Sequence, residues 1–188
     1  MTTPLEQTQV VARPRQGMLA VAISGSPRAP SKSKVLGELM LAELEQLGCA
    51  TRLIDVAEMS ADALAARSHA PDVDEAIDAV GEARIVIAAS PTYRALYTGV
   101  LKCFFDLMPQ AHLAGKVCLG IQTGIAAQHA LSPEYGLRPL FASLEGVSLA
   151  SIYATDAEFA NGEPSADLVE RLRAAAHAAI AVARQGPI

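Results

Sequence analysis

Residues 18–34 read MLAVAISGSPRAPSKSK, an apolar run that ends at a glycine and passes into a loop with one arginine, two lysines and three serines. An unbroken apolar run of this length, with no alternation, predicts a strand buried on both faces. Beyond the loop, Leu36, Leu39, Met40, Leu44 and Leu47 recur at helical spacing, and Gly48 supplies a stop. Strand, polar loop and helix together make an anion site, because hydroxyls and free N–H groups precede a helix whose N-terminal dipole favours negative charge. Ser26, Arg28, Ser31 and Ser33 are the candidate phosphate ligands, with Arg28 offering a charged fork and Lys32 and Lys34 raising the potential from the rim. Taken alone, the loop admits a plainer reading of equal weight, in which a serine caps the helix and the cations are solvated. It lacks both GxxxxGK[ST] and GxGxxG, so a phosphate ester on a cofactor smaller than a dinucleotide fits it better.

The same alternation continues outward along the chain. Strands are predicted over 18–24, 51–56, 84–90, 116–122 and 147–154, and all but the second are apolar nearly throughout. Helices are predicted over 31–47, parts of 60–82 interrupted at Pro71, 97–107, 132–144 with Pro139 inside, and 165–183 with Ser165 as cap. This pattern predicts an α/β fold: a doubly wound, flavodoxin-like, five-stranded parallel sheet of order 2-1-3-4-5 with helices on both faces. Ligands of such sheets sit beyond the carboxyl ends of the strands, near the switch point. Residues 1–16 are polar, hold Pro4 and Pro14 and lack periodicity, so they are expected to be a flexible N-terminal arm before a single domain over 17–188.

Composition narrows the function classes. The 188 residues carry a formal charge of −5, with no basic stretch beyond the opening loop, which argues against nucleic acid as a partner. No run is long enough to cross a membrane, and the N-terminus lacks the apolar core of a secretory signal, so a cytoplasmic protein is expected. Cys49, Cys103 and Cys118 have no CxxC spacing and sit in apolar stretches, as reduced thiols do, rather than in a disulfide framework or metal site.

Two more loops fall on the edge where the first one lies. SPTYRALYTG follows the third strand and holds Tyr93 and Tyr97, two of only four tyrosines, after the rigid Pro91; a flat ligand could use them, and packing is the alternative. QTGIAAQH follows the fourth strand, where Thr123 and Gly124 offer backbone N–H groups and His129 stands close behind.

These three loops resemble those of the NAD(P)H-dependent FMN reductases of flavodoxin-like fold. GSPRxxSxS is similar to that family's phosphate loop, and PTYRALYTGVLKCFFDLMP to its flavin-ring loop and dimer helix. LAGKVCLGIQTGIAAQHALSPEYGLRPLFASLEG is most similar to the branch that supplies reduced FMN to flavin-dependent alkanesulfonate monooxygenases. The resemblance covers about 18–156. It implies that Ser26, Arg28, Ser31 and Ser33 hold the FMN phosphate, that Pro91, Thr92, Tyr93 and Arg94 line the isoalloxazine edge, and that Thr123, Gly124, Ile125 and Ala126 approach its pyrimidine end. It further implies that Tyr97 opens the next helix with a π-type irregularity at a subunit interface. One position departs from the branch: Ile125 stands where a second glycine is common, and isoleucine does not readily take a positive φ.

The resemblance implies an oxidoreductase that passes a hydride from NADH or NADPH to FMN. Such chemistry belongs to the cofactors, so no catalytic acid or base is expected, and none of the usual triads or carboxylate pairs is present. A homodimer or homotetramer is implied, with the apolar positions Tyr97, Val100, Leu101, Phe104, Phe105 and Met108 as its helix face, and ordinary burial on the sheet is the alternative for about half of them. The implied partner is a flavin-dependent monooxygenase acting on sulfonates. Alternatives on the same fold are a quinone, azo or metal reductase with tightly bound FMN, and a non-catalytic electron carrier or sensor.

Overall fold

The computed structural model describes residues 17–186; the expected N-terminal arm lies outside them. β1 (Leu19–Ser24), β3 (Ile85–Pro91) and β4 (Val117–Gly124) are buried almost throughout, as their unbroken apolar sequences require. β2 (Ala50–Asp55) is a partly exposed edge strand. β5 (Val147–Ser148) and β6 (Ile152–Thr155) form the other edge, giving a parallel sheet of order β2-β1-β3-β4-β5 in which β6 also pairs β4. This is the expected order.

The outer strand, expected to be continuous over 147–154, is split. Its register shifts by one residue between the Cys118↔Ser148 and Ile121↔Ile152 pairs. The Ser151 N–H is the reason: it donates to the Glu134 carboxylate at 3.0 Å instead of joining the ladder. Glu134 belongs to α5 (Ser132–Ser143), which stays helical through Pro139.

Two cores sandwich the sheet. On one face α1 (Lys32–Gln46) and α6 (Ala166–Ala183) cover Ala20, Ala22, Ile85, Ile87, Leu119 and Ile121. On the other, α3 (Pro71–Glu82), α4 (Gly99–Asp106) and α5 cover Val21, Ile23, Val86, Ala88 and Cys118. The strand residues alternate between the two lists, as the twofold period of a strand dictates. The 60–82 region divides as expected into a short α2 (Ala61–Leu64) and α3, with Pro71 in the first turn. Burial drives the Cys118 thiol up to about 12, so it packs as an inert apolar group. No helix among the described residues is long and apolar enough to cross a membrane.

Past β6 the chain makes a hairpin that the sequence reading left unassigned, β7 (Phe159–Ala160) with β8 (Glu163–Pro164), turning at Asn161 and Gly162 with φ of 52° and 86°. The Asn-Gly pair is the signal for it.

Candidate functional site

The loops after β1, β3 and β4 border one cleft of ≈ 430 Å³ beyond the carboxyl ends of the strands. Ser26, Arg28 and Ser31 line it from the first loop, Pro91, Thr92 and Tyr93 from the second, and Thr123, Gly124 and Ile125 from the third. Ser33, Arg94, Ala126 and His129 are not in its lining.

The first loop folds on itself. The buried Ser26 Oγ donates to the Arg28 carbonyl at 2.9 Å and accepts from the Arg28 N–H at 3.3 Å. Ser31 is the N-cap of α1, accepting from the Lys34 N–H, and its hydroxyl shares a 3.0 Å hydrogen bond with the fully buried Ser33. Ser33 thus sits behind Ser31 and holds it in place. The helix start leaves the Lys32 and Ser33 N–H groups without intrahelical partners, beside a lining serine and arginine. Among the described residues the Arg28 side chain has no ion pair or hydrogen bond.

The two lysines are placed differently from each other. Lys34 is tied to Asp55 at the end of β2 at 2.7 Å, and that hydrogen bond raises its pKa; it is therefore not a rim cation. Lys32 does line the cleft, 2.9 Å from the Asp156 carboxylate and with its ammonium 5.2 Å from the centre of the Phe159 ring. Asp156 and Gly162 also line the cleft, and the sequence reading missed both. The signal for Asp156 was its place just past the last strand, on the same edge as the three loops. Pro30 and Val35, also in the lining, flank the predicted serines.

The second loop is a tight hairpin. Tyr93 and Leu96 exchange backbone hydrogen bonds at 2.8 and 3.2 Å, and the two residues between them, Arg94 and Ala95, have φ of 52° and 66°. Such a primed turn ordinarily uses Asn and Gly; with a Cβ at both positions it costs about 1–2 kcal/mol per residue. Arg94 sits exposed at the tip. Tyr97 follows the hairpin, partly buried against the second core, and α4 begins regularly at Gly99 with Thr98 as its cap. The π-type irregularity expected at Tyr97 is not present, because the Thr98 hydroxyl accepts from the Leu101 N–H and closes an ordinary first turn. Thr98 also donates its hydroxyl to the Gly25 carbonyl and its N–H to Ser90 Oγ, which binds the first two loops together.

The third loop shows where glycine is needed. Ile125 is 86% exposed and is not among the residues with positive φ, so its side chain imposes no strain there. Gly124 carries the demand instead: a Cβ there would lie 2.4 Å from the Tyr153 hydroxyl and 3.4 Å from Thr92 Cβ. That hydroxyl donates to the Ala126 carbonyl at 2.8 Å, and burial raises its pKa, keeping it a donor. The buried Gln122 donates to Thr92 Oγ1 and accepts from Ser132 Oγ, so the second loop, β4 and α5 share one polar chain.

Known proteins match this chain over the same region. Residues 18–161 match the family model described as NADPH-dependent FMN reductase. A Pseudomonas putida FMN reductase (NADPH) is 35% identical over 85% of this chain and 83% of its own length. A Pseudomonas fluorescens NADH-dependent FMN reductase, SfnF, is 36% identical over 85% and 88%. The apo crystal structure of an NADH:FMN oxidoreductase superposes with a TM-score of 0.81 at 32% identity, covering 90% of both chains. An archaeal flavodoxin, at 11% identity and a TM-score of 0.65, shares the fold alone. With three loops meeting in one cleft of a flavodoxin-like sheet, and a family model spanning all three, this chain belongs to the NADPH-dependent FMN reductase family and is an oxidoreductase that uses FMN and NAD(P)H.

Proposed function

We propose that this chain reduces FMN with NADH or NADPH and releases the reduced flavin to a flavin-dependent monooxygenase that acts on alkanesulfonates or related substrates. The observation that carries the reading is the convergence of the three loops on one open cleft. The residues present fit FMN: the start of α1 offers N–H groups, serine hydroxyls and Arg28, whose side chain has no ion pair among the described residues, to a phosphate. When bound, FMN supplies the acceptor for a hydride from C4 of the nicotinamide, and a solvent proton balances the reduced flavin and NAD(P)+.

The chain's own residues bind and orient. Ser26, Arg28 and Ser31 hold the phosphate, and Ser33 acts through Ser31. Pro91, Thr92 and Tyr93 flank the ring, with Gln122 fixing Thr92. Thr123, Gly124 and Ile125 form the far end, and the Ala126 carbonyl steadies Tyr153 at Gly124. Arg94, exposed at the hairpin tip, lies outside the lining. Tyr93 is 43% exposed, so it remains accessible to a nicotinamide arriving at the cleft.

Mixing purified protein with FMN and each nicotinamide tests the activity: FMN-dependent loss of NADH or NADPH absorbance is expected, and none from either overturns it. A second assay tests the partner. Desulfonation by a purified flavin-dependent sulfonate monooxygenase should require this chain, FMN and nicotinamide together; no turnover under those conditions counts against the sulfonate role. A homodimer or homotetramer belongs to the same reading, supported by exposed apolar side chains on the cleft rim.

A further inference from the structure

We propose that Asp156 is a built-in competitor of the flavin phosphate, an acidic group in the cradle that keeps FMN loosely held. The proposal rests on the FMN reading above. Of the three cations in the loop after β1, Lys34 is committed to Asp55 at 2.7 Å and Lys32 to Asp156 at 2.9 Å, and among the described residues Arg28 has no carboxylate partner. Lys32 and Asp156 both line the cleft with Ser26, Arg28 and Ser31. A site selected only for tight phosphate binding has no use for a carboxylate among its donors, because a phosphate monoester brings close to two negative charges.

The position of Asp156 is fixed from behind. It follows directly on β6, in a turn where Glu158 accepts from the Thr155 N–H and hydroxyl and is paired with Arg171 of α6. On the far side, Phe159 holds the Lys32 ammonium against its ring. The backbone of Asp156 is therefore held by a turn bonded to both β6 and α6, and from there its carboxylate reaches Lys32 and pairs with it. When a phosphate arrives it must share Lys32 with that carboxylate and accept its repulsion. The consequence is a lowered affinity for the phosphate end of FMN only, and a faster release of flavin after reduction.

The prediction is a change that depends on the phosphate. Both members of the ion pair are about 40% exposed (37% and 45%), so the effect is of the size of a solvent-screened pair, about fivefold. Flavin fluorescence titrations of the wild type, Asp156→Asn and Asp156→Glu should be run with FMN and with riboflavin, which has the ring but no phosphate. Asp156→Asn is expected to tighten FMN about fivefold and leave riboflavin unchanged, and Asp156→Glu to behave as wild type. The gain should fade in high salt. Equal tightening of both flavins would show that the residue only restricts access, and unchanged FMN affinity in a folded Asp156→Asn would show that the carboxylate does not compete; either overturns the proposal. Wild-type protein that binds neither flavin would instead overturn the FMN reading itself.

Discussion

At the residue scale, the cleft depends on a few atoms with no slack. Among the described residues no carboxylate holds Arg28, so Arg28→Ala should weaken FMN binding about tenfold, the size of one charge-assisted hydrogen bond. Riboflavin affinity should stay level, and an Arg28→Ala variant with wild-type FMN affinity would reduce this loop to helix capping. Gly124→Ala puts a methyl 2.4 Å from the Tyr153 hydroxyl. It should destabilise the protein by about 1–3 kcal/mol, the usual cost of overpacking, and weaken FMN binding as the Tyr153 to Ala126 hydrogen bond is displaced. Adding Tyr153→Phe removes that oxygen and should recover part of the stability, which denaturant melts of the single and double variants would measure. No recovery would mean that the strain lies elsewhere. Nine of the twelve residues that the resemblance assigns to the flavin line the cleft; that the three loops meet on one edge was legible because strand ends and loop chemistry are local features, whereas the contact assigned to each residue rested on the resemblance. Asp156 was not legible, since its role comes from a contact with Lys32 across 124 positions of chain (32 to 156).

At the element scale, the alternation of short apolar runs with helical spacings was enough to read a doubly wound parallel sheet, and five strands fit the order found. Two departures each come from a single hydrogen bond, one tertiary and one local. The outer strand breaks because Ser151 gives its N–H to Glu134, and α4 starts at Gly99 because Thr98 caps it. The Ser151 bond also gives the fold a pH dependence. The backbone hydrogen bond from Ser151, with help from Arg138 at 2.8 Å, holds the Glu134 carboxyl below its ordinary value of 4.5. A carboxyl with a depressed folded pKa stabilises the fold fully above its unfolded value, and that contribution is lost as pH falls through the folded one. Thermal melts should therefore lose stability on acidification below about pH 4.5, and less steeply in Glu134→Gln, which keeps an acceptor but no charge. The carboxylate is about one-third exposed (34%), so the difference at neutral pH should be under about 1 kcal/mol. Parallel acid limbs for the two proteins would refute this role.

At the scale of the whole molecule, four of the six apolar positions that the resemblance assigns to a subunit interface are buried in the chain's own core. Leu101, Phe104, Phe105 and Met108 are buried under the sheet, and Tyr97 and Val100 pack partly against the same cluster. An apolar run on a helix cannot by itself distinguish a neighbour in the same chain from one in another. The exposed apolar surface is elsewhere. All five large apolar side chains that are exposed among the described residues, Tyr93, Leu96, Ile125, Leu131 and Tyr135, lie on the second and third loops and the start of α5. Leu96 and Tyr97 rest against α5 at Gly136, where a Cβ would come within 2.6 Å of Leu96, so the hairpin and the helix form one continuous rim beside the cleft. A second copy covering this rim would bury Leu131 and Tyr135, which are 60% and 76% exposed. Leu131→Lys combined with Tyr135→Lys should therefore lower the mass measured by light scattering to that of the monomer. The melting temperature of the isolated chain should change little, since neither side chain packs on the core. Val100→Lys should do the reverse, lowering stability through the core it touches while leaving assembly to the rim. If the double lysine variant kept the wild-type mass across a dilution series, the rim would not be the contact between subunits.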